Sequence, residues 1–219
     1  MNLALAGMVI LAIGDSHMFH LMTTLHDQLE EAGAAVHSYA MCGATAQDWL
    51  SRSTVSCGRG EHHEKGAATI DYKLGPTYGI ADLIEKHHPN LVVVELGDVM
   101  EGYSSVAPDH SWIQQQVHSL TGKIAASHIS CVWVGPTWGE DKRPYNKTVN
   151  GTRDISQLLA GSVAPCRFVD STTFARPGEW PTKDGAHLEP DGYRRWGKAA
   201  ADAIIRLKSQ GALTAPSPR

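Results

Sequence analysis

Two short stretches near opposite ends of the chain carry residue types that could do chemistry together. The first, Gly14-Asp15-Ser16-His17, directly follows the apolar run Met8 to Ile13 and directly precedes an amphipathic segment. A strand that ends in a small turn and opens into a helix leaves Ser16 at the carboxyl edge of a sheet, above a helix amino terminus, where a nucleophile is well placed. The same four residues also suit an ordinary strand-to-helix turn capped by Ser16 or Asp15. A serine hydroxyl near neutral pH is a poor nucleophile and needs a base, usually an imidazole held by a carboxylate. Among the 12 histidines, His187 is the candidate, because Asp184 stands just upstream in Lys183-Asp-Gly-Ala-His-Leu188. The small residues between them let the carboxylate fold back onto the ring; the plainer alternative is a surface turn with an aspartate cap.

Regular elements must bring these two stretches together. Met18, Leu21, Leu25 and Leu29 recur at spacings of three and four, which predicts a helix over 17–31. Leu91-Val-Val-Val-Glu-Leu96 is a strand whose apolar run implies burial on both faces, as in a parallel sheet. Further strands are expected at 8–13, 34–40, 129–134 and 167–170, with helices at 46–50, 78–87, 111–127, 149–159 and 191–210. Residues 51–77 are polar, with weak periodicity, and read as a long excursion. Five strands alternating with helices predict an α/β protein, a three-layer α/β/α sandwich on a mostly parallel five-stranded sheet. One domain over 1–210 and a flexible tail over 211–219 are expected. Ligands of such sheets bind beyond the carboxyl ends of the strands, so Ser16, Gly43, Gly97-Asp98, Gly135 and the segment after Asp170 should share one rim.

Taken together, Gly14-Asp-Ser16, Gly43 after the second strand, the Gly97-Asp98 turn after the third, and Asp184-x-x-His187 with Gly192-Tyr193 near the end resemble the SGNH (GDSL-type) family of esterases and acyl hydrolases. The resemblance implies a flavodoxin-like fold and no cofactor. It casts Ser16 as the attacking group on an ester carbonyl, His187 as general base and then acid, and Asp184 as the group that orients the ring. The backbone N–H groups of Ser16 and Gly43 would receive the oxyanion, and Asp15 would tie down the turn. One block departs from the pattern: the family's Gly-x-Asn-Asp reads Gly97-Asp98-Val99-Met100 here. Valine cannot donate a hydrogen bond, and Asp98 could take that place only while protonated. Trp138, Tyr145 and Asn146 of the 135–148 loop are alternative donors. The expected activity is hydrolysis of acetyl or other short acyl esters, on a small molecule or a glycan. The alternatives are an O-acyltransferase using the same serine, and a glycan-binding module weakened by Val99.

Composition narrows the partners. The chain is 42% hydrophobic and 19% charged with a net charge of −4, and its basic residues are dispersed, so no footprint for nucleic acid is expected. No stretch has the length of a membrane span. Cys42 and Cys57 flank one polar loop, and Cys131 and Cys166 each open a strand-like run, so these two pairings are expected if the cysteines are bridged. Bridged cysteines favour a secreted or periplasmic location, reduced ones the cytosol. His17 and His20 read as rim or surface residues. His62-His63 and His87-His88 read as solvated loop and helix-end residues, and no metal site is expected. Trp112, Trp133, Trp138 and Trp180 offer a sugar-stacking platform or, more simply, core.

Overall fold

The computed structural model describes residues 3–55, 57–101 and 108–213. Its elements in chain order are β1 (Val9–Gly14), α1 (Met18–Glu31), β2 (Ala35–Met41), β3 (Thr54–Val55), β4 (Arg59–His63), β5 (Thr69–Asp71), β6 (Gly75–Pro76), α2 (Ile80–His87), β7 (Leu91–Glu95), α3 (His110–Ala126), β8 (Ser130–Val134), α4 (Val149–Ser162), β9 (Arg167–Val169) and α5 (Pro190–Ser209). The five strands expected from the sequence form the parallel part of the sheet, in the order β2-β1-β7-β8-β9. Most of the expected tail, 214–219, lies outside the described residues.

The sheet is larger than the five strands expected. An antiparallel hairpin, β4 and β5, extends it beyond β2 to seven strands, and β3 and β6 form a separate two-stranded ribbon. These four strands come from the 51–77 excursion. Arg59-Gly-Glu-His-His63 lacks the β-branched and aromatic residues that favour strands, and its alternation is visible only in burial: Gly60 and His62 are buried, the others half-buried.

Helices cover both faces, and this explains why β1 and β7 are apolar up to Gly14 and Glu95 at their carboxyl ends. Ile10, Ala12, Leu91 and Val93 pack with Met18, Leu21, Leu25 and Leu29 of α1 and Tyr193, Trp196 and Ile204 of α5. Leu11, Ile13, Val92 and Val94 pack on the other face with Leu83 of α2, Ile113 and Val117 of α3, and Ile155 of α4. Both expected disulfides are formed, Cys42–Cys57 and Cys131–Cys166. The first braces the turn that carries Gly43, where Cys42 N–H also donates to the Gly58 carbonyl at 2.9 Å. Among the described residues, no helix is long and apolar enough to cross a membrane.

Candidate active site

Gly14 pairs with Ala40 of β2 on one side and Glu95 of β7 on the other, so the turns that follow the three strands open on one rim. The exit from β1 is tight: a Cβ on Gly14 would lie 2.7 Å from the Glu95 carbonyl oxygen and 2.9 Å from Met18 Cβ, closer than side chains approach. Asp15 then folds back, accepting from His17 N–H at 2.9 Å, and holds Ser16 between the strand end and the first turn of α1.

The second stretch meets it there. Ser16 Oγ lies 2.9 Å from His187 Nε2, and His187 Nδ1 lies 2.8 Å from Asp184 Oδ2. The other oxygen of Asp184 accepts from the backbone N–H groups of His187 at 2.8 Å and Ala186 at 3.1 Å. The carboxylate is thereby fixed on the ring, and these bonds hold its pKa below the usual value although burial opposes them. Gly185 makes the fold-back possible. Its φ is +97°, and a Cβ there would collide with the Lys142 carbonyl. The 135–148 loop supports this turn through Glu140 N–H to the Gly185 carbonyl at 2.8 Å and Thr182 N–H to Glu140 Oε2 at 2.7 Å. Tyr145 stands edge-on to the His187 ring, with centroids 5.4 Å apart.

Beneath the relay lies a buried charged layer. His17, expected at the rim, is fully buried because its ring is sandwiched between His187, with centroids 4.9 Å apart, and Trp196 at 5.5 Å. Its Nδ1 is 2.8 Å from the Tyr193 hydroxyl and its Nε2 is 3.4 Å from Asp98 Oδ2. His20 is half-buried, stacked on Tyr193 at 4.2 Å, and burial together with Lys183 pulls its pKa down to about 4. Asp98 in turn forms an ion pair with Lys147, and neither side chain is exposed to solvent. Burial works against the charge on Asp98, but Lys147 and His17 outweigh it and hold the carboxyl below its ordinary range. Burial likewise opposes a charge on His17, and the Asp98 and Asp15 carboxylates override it, raising its pKa. Asp15 and Glu95 go the other way. Burial pushes Asp15 up to about 6, and burial with the neighbouring carboxylates raises Glu95 well above its usual value. His187 is lowered, first by burial and then by the charge of His17, with Asp184 acting against both.

Several expectations for the oxyanion side change here. Asp98 cannot be the neutral donor in place of the missing asparagine, since it is ionised and turned into the Lys147–His17 network. Trp138 gives its ring N–H to the carbonyls of Thr172 and Ala175, at 2.9 and 2.8 Å. Val99 opens a short 3-10 turn and is half-buried, and Gly43 is exposed in the turn after β2. Nor do the tryptophans form a platform: Trp133 and Trp180 are core, Trp138 is half-buried, and only Trp112, on α3, is largely exposed. Sequence reasoning missed Lys147 and Glu95 altogether and gave Tyr193 no role. The glutamate inside the apolar run 91–96 carried a signal, since a carboxyl buried there needs a partner, whereas a lysine in a polar loop carries none. The paired histidines were also misread. His62 is buried, with its ring nitrogens on the carbonyls of Met22 and Gly66, His63 and His87 are half-buried, and only His88 is exposed.

The fold is shared with solved structures described as lipases and esterases. A GDSL-like lipase from Bacteroides thetaiotaomicron superposes with a TM-score of 0.58 at 15% identity, covering 90% of this chain and 87% of that one. A carbohydrate esterase of family 3 from Talaromyces cellulolyticus does so with a TM-score of 0.62 at 11% identity, covering 93% and 99%. No protein-family model matches the chain. By sequence the chain belongs to the BcsX family: it is 40% identical over 212 residues to protein BcsX of Komagataeibacter xylinus, across 94% of this chain and 79% of that protein.

Proposed function

We propose that this chain is a serine esterase of the SGNH type that removes acetyl or another short acyl group from a carbohydrate, working in an oxidising, secreted or periplasmic setting. The observation that carries the reading is the continuous relay from Ser16 through His187 to Asp184, with contacts of 2.9 and 2.8 Å at the rim. The carbohydrate preference leans on the esterase among the fold relatives and is an inference by analogy. The compartment leans on the two disulfides.

In the first step Ser16 Oγ attacks the ester carbonyl carbon while its proton passes to His187 Nε2. The tetrahedral intermediate collapses, the C–O bond to the alcohol breaks, and His187 returns the proton to the departing oxygen. Water, deprotonated by the same imidazole, then attacks the acyl-enzyme, releasing the carboxylic acid and restoring Ser16. Asp184 orients the ring and stabilises the imidazolium. The backbone N–H groups of Ser16 and Gly43 receive the oxyanion, and Val99 adds no third donor, so turnover is slower than a three-donor site would allow.

The test is turnover of p-nitrophenyl acetate and of an acetylated oligosaccharide, with and without a free sugar acceptor. Ser16-dependent release of acetate supports the reading. Acyl transfer to the sugar would replace it with a transferase, and silence toward every ester would leave a binding module.

A further inference from the structure

The seven-stranded sheet assembles a second cluster that the linear sequence hides. His37 on β2 faces His63 on β4 across the antiparallel register, and His87 at the end of α2 closes over both. The His37 and His87 rings stack at 4.0 Å, and His63 is 5.5 and 5.6 Å from them. One ring nitrogen from each residue lies within 4.8 Å of the other two.

We propose that His37, His63 and His87 bind one divalent transition-metal ion of the zinc, nickel or copper group, with water completing the coordination. Three imidazoles suit these borderline ions and not magnesium or calcium, which take oxygen ligands. Two of the three remaining ring nitrogens have oxygen partners of the kind that orient metal-bound histidines. His87 Nε2 is 2.7 Å from the Tyr39 hydroxyl, and His63 Nε2 is 3.3 Å from Glu61 Oε2. Donation of Nε2–H to these oxygens leaves the Nδ1 lone pair for the ion. Nδ1 of His37 and Nδ1 of His63 are buried and, among the described residues, have no hydrogen-bond partner. The other histidine cluster makes the contrast. His26 and His62 also stack, at 3.7 Å, but the nitrogens of both rings are taken by Ser38 and by the carbonyls of Glu64, Met22 and Gly66.

His37 lies three residues back along β2 from Ala40, the partner of Gly14, so the site sits about 10 Å behind the Ser16 rim along the strand. An ion there would clip α2 to the β2–β4 pair and so act on the stability of the sheet's antiparallel edge.

Titration calorimetry on tag-free, metal-stripped protein should find one Zn²⁺ or Ni²⁺ per chain and no heat with Mg²⁺ or Ca²⁺. His37→Ala or His63→Ala should remove this binding, while His118→Ala on the exposed face of α3 should keep it. Tyr39→Phe and Glu61→Gln should weaken it about 10- to 100-fold. Ser16→Ala should bind as the wild type does, which separates this site from the esterase chemistry. The wild-type Cu²⁺ complex supplies a check that needs no variant: its EPR spectrum should show coupling to three imidazole nitrogens. Absence of stoichiometric uptake, binding that survives loss of His37 and His63, or a Cu²⁺ spectrum with fewer than three nitrogens would overturn the proposal.

Discussion

The Asp184–His187 pair and the Asp98–His17 pair are two carboxylate–imidazole contacts whose rings stack 4.9 Å apart, yet their surroundings differ. Asp184 and His187 keep 29% and 19% of their side-chain surface exposed, and they come from one short turn. Asp98 and His17 have none, come from different strand ends, and are joined by Lys147 and Tyr193. An imidazole open to the rim can exchange a proton with substrate. One enclosed among fixed charges acts on its neighbour: the carboxylates of Asp98 and Asp15 raise the pKa of His17 against burial, and its charge adds to burial in lowering that of His187. On the proposed function, the outer pair does the chemistry and the inner one positions it electrostatically.

The sharpest way to break this division is to remove the outer pair. Ser16→Ala and His187→Ala should each cut kcat by about 10⁵- to 10⁶-fold, and the double variant should be no worse, because the two act as a unit. Circular dichroism should show the fold intact. Additive losses would assign the base to another histidine.

Breaking the inner network should act on stability instead. Lys147→Met strands a buried Asp98 carboxylate and should cost about 3–5 kcal/mol in denaturant unfolding at pH 7. Asp98 is depressed in the folded state, so its contribution is present above its ordinary value of 3.8 and is lost as pH falls through its lowered folded value. The penalty of the variant should accordingly shrink in acid. An equal penalty at all pH values would contradict the ion-pair assignment.

Val99→Asn adds a side-chain donor to the 3-10 turn that follows β7. If residue 99 faces the oxyanion position, kcat should rise about 10- to 1000-fold with little change in KM. No gain in a folded, Ser16-dependent variant would mean that a different group completes the hole.

The smallest effect is the acid limb of kcat/KM. The base must be neutral, and burial plus His17 lower His187 from 6.5, so activity should persist at pH 6.5 and fall only below it. His17→Gln should move the limb upward. A limb above 6.5 in the wild type would argue against a charged His17.

The outer pair was legible in the sequence because its parts are local. Gly14-Asp-Ser16 sits at the end of one apolar run, and Asp184 reaches His187 within a single turn. Among the parallel strands, β1, β7 and β8 were the most legible, because burial on both faces makes them almost wholly apolar. The inner network was not, since Lys147 lies 49 residues from Asp98 and Tyr193 lies 176 from His17, and nothing local announces either contact. The β4–β5 hairpin was missed for a related reason. Its first strand carries Arg59, Glu61 and His63 on the half-buried face, its second is exposed throughout, and their neighbours come from pairing with β2 and with each other.

Mass spectrometry after treatment with a fluorophosphonate reads out whether Ser16 is a nucleophile activated by His187. Ser16 Oγ should attack phosphorus, fluoride should leave, and the serine proton should pass to His187. One phosphonyl group per chain is expected, mapped to the Ser16 peptide, absent in Ser16→Ala and far slower to form in His187→Ala. A folded protein that takes up no label, or takes it up on another residue, would contradict it.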